Sequence, residues 1–283
     1  MALCHDNSNY QTKEKILYNL QALSSYEKRE LNALFRDLFL NDGFAYTLFD
    51  ERALAFTAYF KREPLCNIIS GRNRSPPVAS WWKTWEKYKH LFPMRRFALI
   101  ATQDRVHNSV NLYLVNKKLY FDMLHEASSQ SRWVRNSGKT LEELQEIFTH
   151  FKIEKLPNYI EVLGILLGYG ENNAYLFYRR DQIEQLLMEG PPPYKNQMTV
   201  EVVKNLREEI DRINKSLIPI RSLMKTQTHV KRLCFLSFVG FLVDATTDET
   251  KKILVKFQAS KKKITDEYSR GDFLEITLEQ LVL

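Results

Sequence analysis

The stretch EVLGILLGYGENNAYLFYRRD (residues 161–181) contains the residue types of an anion-binding site. Two glycines precede two asparagines, and a helix that begins there would direct its free backbone N–H groups at a phosphate or a carboxylate. Two arginines follow about two helical turns later and could add positive charge. The candidate anion-binding residues are Gly168, Gly170, Asn172, Asn173, Arg179 and Arg180.

The same stretch also fits a joint between two helices. A nucleotide-binding loop follows a β-strand, whereas the segment before Gly168 has a capping signal at Asn158 and Glu161 and apolar residues at helical spacing. Gly168 or Gly170 fits the left-handed residue that ends a helix. Either of the two following asparagines fits the N-cap of the next helix. We therefore interpret the stretch as a helix–turn–helix joint, with anion binding as the alternative.

A second candidate lies in VASWWKTWEKYKHLF (residues 78–92), which holds three of the four tryptophans. Trp81 and Trp82 point about 100° apart on a helix, whereas Trp82, Trp85 and Phe92 share one core face more easily. An aromatic side chain left partly exposed among lysines suits a partner groove or stacked bases. The alternative is a helix packed over a sheet. The candidate partner-binding residues are Trp81, Trp82, Trp85, Lys83 and Lys87.

Other motifs give no support for catalysis. RNSGKT (residues 135–140) resembles the end of a phosphate-binding loop, but the position of the required first glycine is Trp133. A loop glycine followed by an N-cap at Thr140 fits better. The six histidines are scattered and none pairs with another at helical spacing. We therefore predict no catalytic residue, no metal site and no cofactor.

Charge and cysteine content narrow the function classes. The 283 residues include 41 basic and 34 acidic ones, so the net charge is +7 with both signs interleaved. This excess keeps nucleic-acid binding as an alternative.

The three cysteines are far apart, which fits a reducing compartment. The longest apolar run has 11 residues, against roughly 20 for a membrane span. We expect a cytoplasmic bacterial protein, with export by a non-classical route as the alternative.

The predicted fold class is α+β, predominantly helical, with a small antiparallel sheet of about four strands in the N-terminal half. Residues 43–60 are predicted as a β-hairpin around Asp50–Ala53, and residues 96–115 as a second pair of strands. A polar residue followed three positions later by Glu predicts several helix starts. These pairs are Ser24 with Glu27, Thr140 with Glu143, Asn158 with Glu161 and Thr246 with Glu249.

Three consecutive prolines, Pro191–Pro193, predict a linker at residues 190–198. The predicted division is residues 1–189 as an α+β domain, then this linker, then residues 199–283 as a helical region. A long helix is expected from Val200 to Leu223, kinked or ended near Pro219. A last helix is expected to stop at Gly271.

Several blocks resemble a family of uncharacterised proteins from chlamydia-related intracellular bacteria. The resemblance extends from about residue 35 to the C-terminal end, and it implies a host-associated bacterium without implying an activity for any residue. The matching blocks are NDGFAYTLFDERALAF, WWKTWEKYKHLFP, GILLGYGENNAYLFYRRD and VGFLVDATTDETKKILVKF.

The leading hypothesis is a non-enzymatic protein that acts through protein–protein interaction. It depends on the tryptophan-rich helix at residues 78–92 and on the missing catalytic signatures. The first alternative is an enzyme or ligand-binding protein with an anion site at Gly168–Asn173. The second alternative is nucleic-acid binding through a basic aromatic surface.

Overall fold

A computed structural model describes residues 3–60, 78–104, 109–189, 199–223 and 242–283. The fold is α+β and predominantly helical, as predicted. The chain forms two compact units. Among the described residues, unit 1 comprises those within 3–119 and 259–283, and unit 2 comprises those within 120–223 and 242–258. The predicted linker lies outside the described residues, and unit 2 takes chain from both sides of it, so the predicted domain boundary stays a prediction.

Unit 1 combines helices with a three-stranded antiparallel sheet. Its helices within the N-terminal part of the chain are α1 (Leu3–Gln21), α2 (Ser25–Asp42), α3 (Phe44–Leu48) and α4 (Val78–Tyr88). The strands are β1 (Leu54–Phe60), β2 (Phe97–Asp104) and β3 (Ser109–Asn116), in the order β1–β3–β2. In this register Leu54 pairs with Val115 and Phe97 pairs with Asn116. The second predicted strand pair is therefore confirmed.

The first predicted hairpin is wrong, because its first strand is the short helix α3. The turn into α3 occurs at Gly43, whose φ of 69° is left-handed. All five residues of α3 are buried. A short apolar run that is buried all round has no periodicity to distinguish a strand from a helix. Its second half, β1, pairs with β3 instead.

The core of unit 1 is built on α2, whose Leu31, Leu34 and Leu38 are fully buried. Aromatic side chains extend this core: the ring of Phe39 lies 5.1 Å from the rings of Tyr268 and Phe273, centroid to centroid. Stacked and edge-on aromatic contacts of this length stabilise beyond the area they bury.

Two more of the described helices contribute to unit 1, and one of them was not predicted. Helix α12 (Asp248–Tyr268) belongs partly to each unit, and α13 (Phe273–Val282) follows it. Gly271 does not hold the left-handed conformation expected of a helix stop. The new helix begins because the carboxylate of Asp272 accepts the N–H groups of Leu274 and Glu275, at 2.9 and 3.2 Å.

Unit 2 is a set of helices with a two-stranded sheet. Helix α5 (Lys117–His125) again belongs partly to each unit. The others are α6 (Arg132–Ser137), α7 (Leu141–Thr149), α8 (Tyr159–Leu166), α9 (Glu171–Glu189), α10 (Val200–Ser216) and α11 (Ile220–Leu223). Strands β4 (Leu217–Pro219) and β5 (Leu242–Asp244) pair antiparallel. A buried cluster of Ile183, Ile213 and Leu217 forms one apolar core of this unit.

The long helix predicted for residues 200–223 ends earlier, at Ser216. Leu217 already has extended backbone angles, and Pro219 pairs with Leu242 in the small sheet. Proline lacks the N–H that a helix interior needs but is tolerated in a strand without a second neighbour. The helix therefore ends near Pro219, as predicted, and the residues after Ser216 do not continue it.

Two of the predicted helix starts are confirmed by a side chain that accepts the backbone N–H three residues later. Complete capping boxes exist at Ser24 and at Thr140. At α12 the cap is one residue later than predicted, since Thr247 accepts the N–H of Thr250 at 3.2 Å. This shift frees Glu249, the expected box partner of Thr246, for another contact.

Candidate functional site

The tryptophan-rich helix α4 packs on α2 through two carboxylates. Glu30 is buried and accepts hydrogen bonds from the hydroxyls of Ser80 and Thr84. One turn earlier, Glu27 accepts from the Tyr88 hydroxyl and from Lys87 Nζ, the latter at 3.0 Å. Both carboxylates therefore fasten α4 to α2.

Acid is expected to weaken this attachment. Folding lowers the pKa of Glu27 to about 2, chiefly because the Tyr88 hydroxyl donates to its carboxylate. A carboxyl whose pKa falls on folding stabilises the protein above its unfolded pKa of 4.5, and this contribution is lost as the pH falls through the folded pKa. We expect the free energy of unfolding to decrease from pH 4.5 to pH 2, with a shallower slope in Glu27→Gln. Urea denaturation at several pH values measures both slopes.

The matched control for that experiment is Glu142→Gln, since Glu142 is exposed in the first turn of α7. It should leave the slope below pH 4.5 unchanged. Equal slopes for the two variants would contradict the role given to Glu27.

The three tryptophans of α4 have different environments. Trp85 is 0% exposed, and its ring meets Phe35 edge-on at 5.4 Å between centroids. Phe92 is also fully buried, as predicted. Trp81 and Trp82 are only half-buried, so the predicted core face holds for Trp85 and Phe92 but not for Trp82. Helix α4 therefore uses one indole for packing and leaves two within reach of solvent.

The two lysines Lys83 and Lys87 of α4 differ in whether they form an ion pair. Lys83 is exposed and forms no ion pair with any described residue. Lys87 is bound to Glu27, although 65% of its side chain is exposed. The structure thus brings the two half-buried indoles and one uncompensated cation onto a single short helix.

The Gly168–Asn173 stretch is a helix–turn–helix joint, as we interpreted it. Helix α8 ends at Leu166 and α9 begins at Glu171. Both glycines between them are left-handed, with φ of 78° for Gly168 and 82° for Gly170. The predicted N-cap at Asn172 or Asn173 is wrong, because both residues already lie within the first turn of α9.

The start of α9 holds an anion that belongs to the protein itself. The carboxylate of Glu249 accepts the backbone N–H of Asn172 at 3.2 Å and that of Asn173 at 3.4 Å. A carboxylate at this end of a helix satisfies free N–H groups and interacts well with the helix dipole. Sequence reasoning missed this contact because 77 residues separate Glu249 from Asn172.

Asn173 fixes the joint further. It is 1% exposed, and its amide nitrogen donates to the Tyr169 carbonyl at 2.9 Å and to Thr250 Oγ1 at 3.1 Å. Its side-chain oxygen accepts the N–H of Asp244 at 2.9 Å. Asn173 therefore ties the joint to β5 and to the first turn of α12.

The two arginines of α9 are also bound to carboxylates. Arg179 donates to both oxygens of Glu209 on α10, at 2.7 and 2.9 Å, and this lowers the pKa of Glu209. Arg180 lies 3.3 Å from Glu184, one turn on. An external anion at this helix start would have to displace a carboxylate of the chain. Anion binding here stays a prediction.

The tight fit at Gly170 gives a measurable effect. A Cβ atom there would lie 2.5 Å from Glu249 Cδ, whereas a Cβ atom at Gly138 would meet nothing within 4 Å. Both glycines are left-handed, and this strain alone costs about 1–2 kcal/mol for alanine. We expect Gly170→Ala to lower the free energy of unfolding by about 1 kcal/mol more than Gly138→Ala, because it also displaces the helix cap. Urea denaturation of the two variants measures the difference.

The Glu249→Ala background supplies the control. There the cap is already absent, so Gly170→Ala should cost no more than Gly138→Ala. An excess that persists without Glu249 would contradict the explanation.

A buried polar cluster in unit 2 was missed. Glu161 is 1% exposed, and one of its oxygens accepts the amide nitrogens of Asn136 at 2.8 Å and of Asn158 at 3.0 Å. Arg132 Nε lies 3.5 Å from its other oxygen, and the Arg132 guanidinium covers the Tyr175 ring at 3.9 Å. This cluster links α6, α8 and α9.

The sequence signal at Asn158 and Glu161 was real but was interpreted wrongly. Asn158 does occupy the N-cap position of α8, yet its side chain forms no capping hydrogen bond. Its amide nitrogen donates instead to the Trp133 carbonyl, at 2.8 Å, and to Glu161. The predicted capping box is therefore replaced by a tertiary contact.

Among the residues that the structure describes, no three His, Cys, Asp or Glu side chains gather closely enough to hold a metal ion. Within the same ranges, no helix has the length and apolar character to cross a membrane. Comparison of the chain with protein-family models, with curated proteins and with solved structures gives no significant match.

Proposed function

We propose that this protein is a non-enzymatic binding protein that holds an acidic protein segment on the outer side of α4. We name this side the α4 surface and define it by Trp82 and Lys83, with Trp81 and Lys87 at its two borders. The single observation that supports the proposal is the partial exposure of the two adjacent indoles. Tryptophan is among the residues that contribute most to binding when a partner covers it.

Helix geometry gives the two indoles separate roles. Successive residues lie about 100° apart around a helix, so Trp81 falls between Thr84 and Trp85, which face the core. Trp82 falls beyond Trp85, at the edge of the buried face. A partner that covers this edge would therefore contact Trp82 most fully, with Trp81 as a flanking contact.

Charge favours an acidic partner. The chain carries a net charge of +7, and Lys83 lacks an ion pair within the described ranges. Glu86, which follows on the same helix, is already paired with Lys89 at 2.7 Å. An acidic segment with one apolar side chain would match both the indole and the free cation.

The other prominent polar groups have structural roles, which favours binding over catalysis. Glu27 and Glu30 attach α4 to α2, Glu249 caps α9, and Glu161 joins α6 to α8. Because the chain resembles proteins of chlamydia-related intracellular bacteria, we further propose that the partner is one that a host-associated bacterium encounters.

The test is a selection of random peptides displayed on phage against the full chain. Enriched peptides should be acidic with an aromatic or aliphatic anchor, and Trp82→Ala should bind them about tenfold more weakly. The matched control is Tyr18→Ala, since Tyr18 on α1 is an exposed aromatic residue, 73% exposed. Enriched peptides that bind Trp82→Ala as well as the unaltered protein would overturn the proposal.

A second arm uses a single-stranded oligonucleotide as the probe. Binding that falls on the order of 10³-fold between about 50 and 200 mM salt, for about six phosphate contacts, would favour nucleic acid instead. In that case the same Trp82→Ala variant should lose stacking and weaken oligonucleotide binding.

A further inference from the structure

A cavity of about 260 Å³ lies within unit 1. Its wall combines one face of α1, the segment that follows α4, and the end of α13. Binding cavities for drug-sized ligands hold about 300–1,000 Å³, so this one suits a smaller molecule. Its lining includes Lys15, Ile16, Asn19, Leu91, Arg95 and Val282.

The side chains that line the cavity carry a net positive charge. Lys15 and Arg95 both line it, and no Asp or Glu side chain does. Neither cation forms an ion pair with a described residue. Lys13, two residues before Lys15, is paired with Glu279 at 3.1 Å. The main-chain carboxylate of Leu283, which also lines the cavity, offsets one of these two charges. One net positive charge remains in the wall, which suits the head group of a monoanion.

The rest of the wall is largely apolar and is held in place. Ile16 is 2% exposed, and Leu91 and Val282 are half-buried. The amide nitrogen of Asn19 donates to the Leu91 carbonyl at 2.7 Å, which ties α1 to the segment after α4. A ligand with a short apolar body would gain from contact with this wall.

We propose that this cavity binds a small amphipathic monoanion, with a carboxylate or phosphate head between Lys15 and Arg95 and a short alkyl body against Ile16, Leu91 and Val282. The proposal is independent of the α4 surface, because neither Trp81 nor Trp82 lines the cavity.

The probes are octanoate, octyl phosphate, octylammonium and octanol, titrated into the full chain by calorimetry. Octanoate or octyl phosphate should bind, and the tighter of the two identifies the head group. Octanol, which has the same alkyl body without the charge, should bind about twofold to fivefold more weakly, as expected for an exposed charge pair. Equal binding of octanol, or no binding of either anion, would overturn the proposal.

Charge reversal then tests the site itself. Lys15→Glu should abolish the preference for octanoate over octanol and create one for octylammonium. Lys15 is exposed, so this change should leave the melting temperature nearly unaltered. The control is Arg29→Glu, an exposed residue on α2 that does not line the cavity. Unchanged octanoate binding in Lys15→Glu would show that the anion binds elsewhere and would overturn the assignment.

Discussion

Replacing Trp85 by alanine is expected to lower the free energy of unfolding by about 4 kcal/mol. The side chain is 0% exposed, and its ring contacts Phe35 edge-on at 5.4 Å. Removal of a fully buried indole loses its transfer free energy and leaves a large cavity in the packing of α4 on α2. The loss should appear in urea denaturation followed by circular dichroism.

Two further variants separate packing from other effects. Trp85→Phe should cost less, about 1–2 kcal/mol, because the indole N–H makes no hydrogen bond with a described residue. Trp82→Ala should cost about 1 kcal/mol or less, because that side chain is only half-buried. If Trp82→Ala destabilised the protein as strongly as Trp85→Ala, the division of α4 into a packing indole and two binding indoles would be wrong.

Replacing Glu161 by alanine is expected to cost about 3 kcal/mol. The carboxylate is 1% exposed, and its loss would leave the amides of Asn136 and Asn158 with an unmet donor each. Asn158 is 0% exposed, so water cannot readily replace the lost acceptor. Arg132 would also lose its nearest anion. Native-state hydrogen exchange of α8 should report the loss directly.

Two controls accompany this variant. Glu161→Gln keeps an oxygen acceptor and should cost about half as much, mainly through the lost charge opposite Arg132. Glu171→Ala removes an exposed carboxylate nearby in the sequence and should cost about 0.5 kcal/mol or less. A Glu161→Ala variant as stable as Glu171→Ala would contradict the role of the buried cluster.

The parts of the fold that depend on local chemistry could be predicted from the sequence. The boxes at Ser24 and Thr140 need only a side chain and the backbone three residues away. The strands β2 and β3 follow from alternation and a short connection. Helix α3 could not be identified, because five consecutive buried residues give no periodic signal.

The contacts that decide the candidate sites are not local. Glu249 reaches Asn172 across 77 residues, and Glu161 reaches Asn136 across 25. Sequence spacing predicted an exposed helix start at Gly168–Asn173 but could not show that a distant carboxylate occupies it. The cavity lined by Lys15 and Arg95 has no sequence signature for the same reason, since its wall comes from three separate segments.

The α4 surface is tested most directly by the affinity of one selected acidic peptide for the unaltered protein, for Trp82→Ala and for Tyr18→Ala, measured by calorimetry alongside the melting temperature of each. We expect Trp82→Ala to bind about tenfold more weakly, with Tyr18→Ala unchanged and all three melting temperatures close together. Affinities within about twofold for all three proteins, a difference of only about 0.4 kcal/mol, would contradict binding at α4.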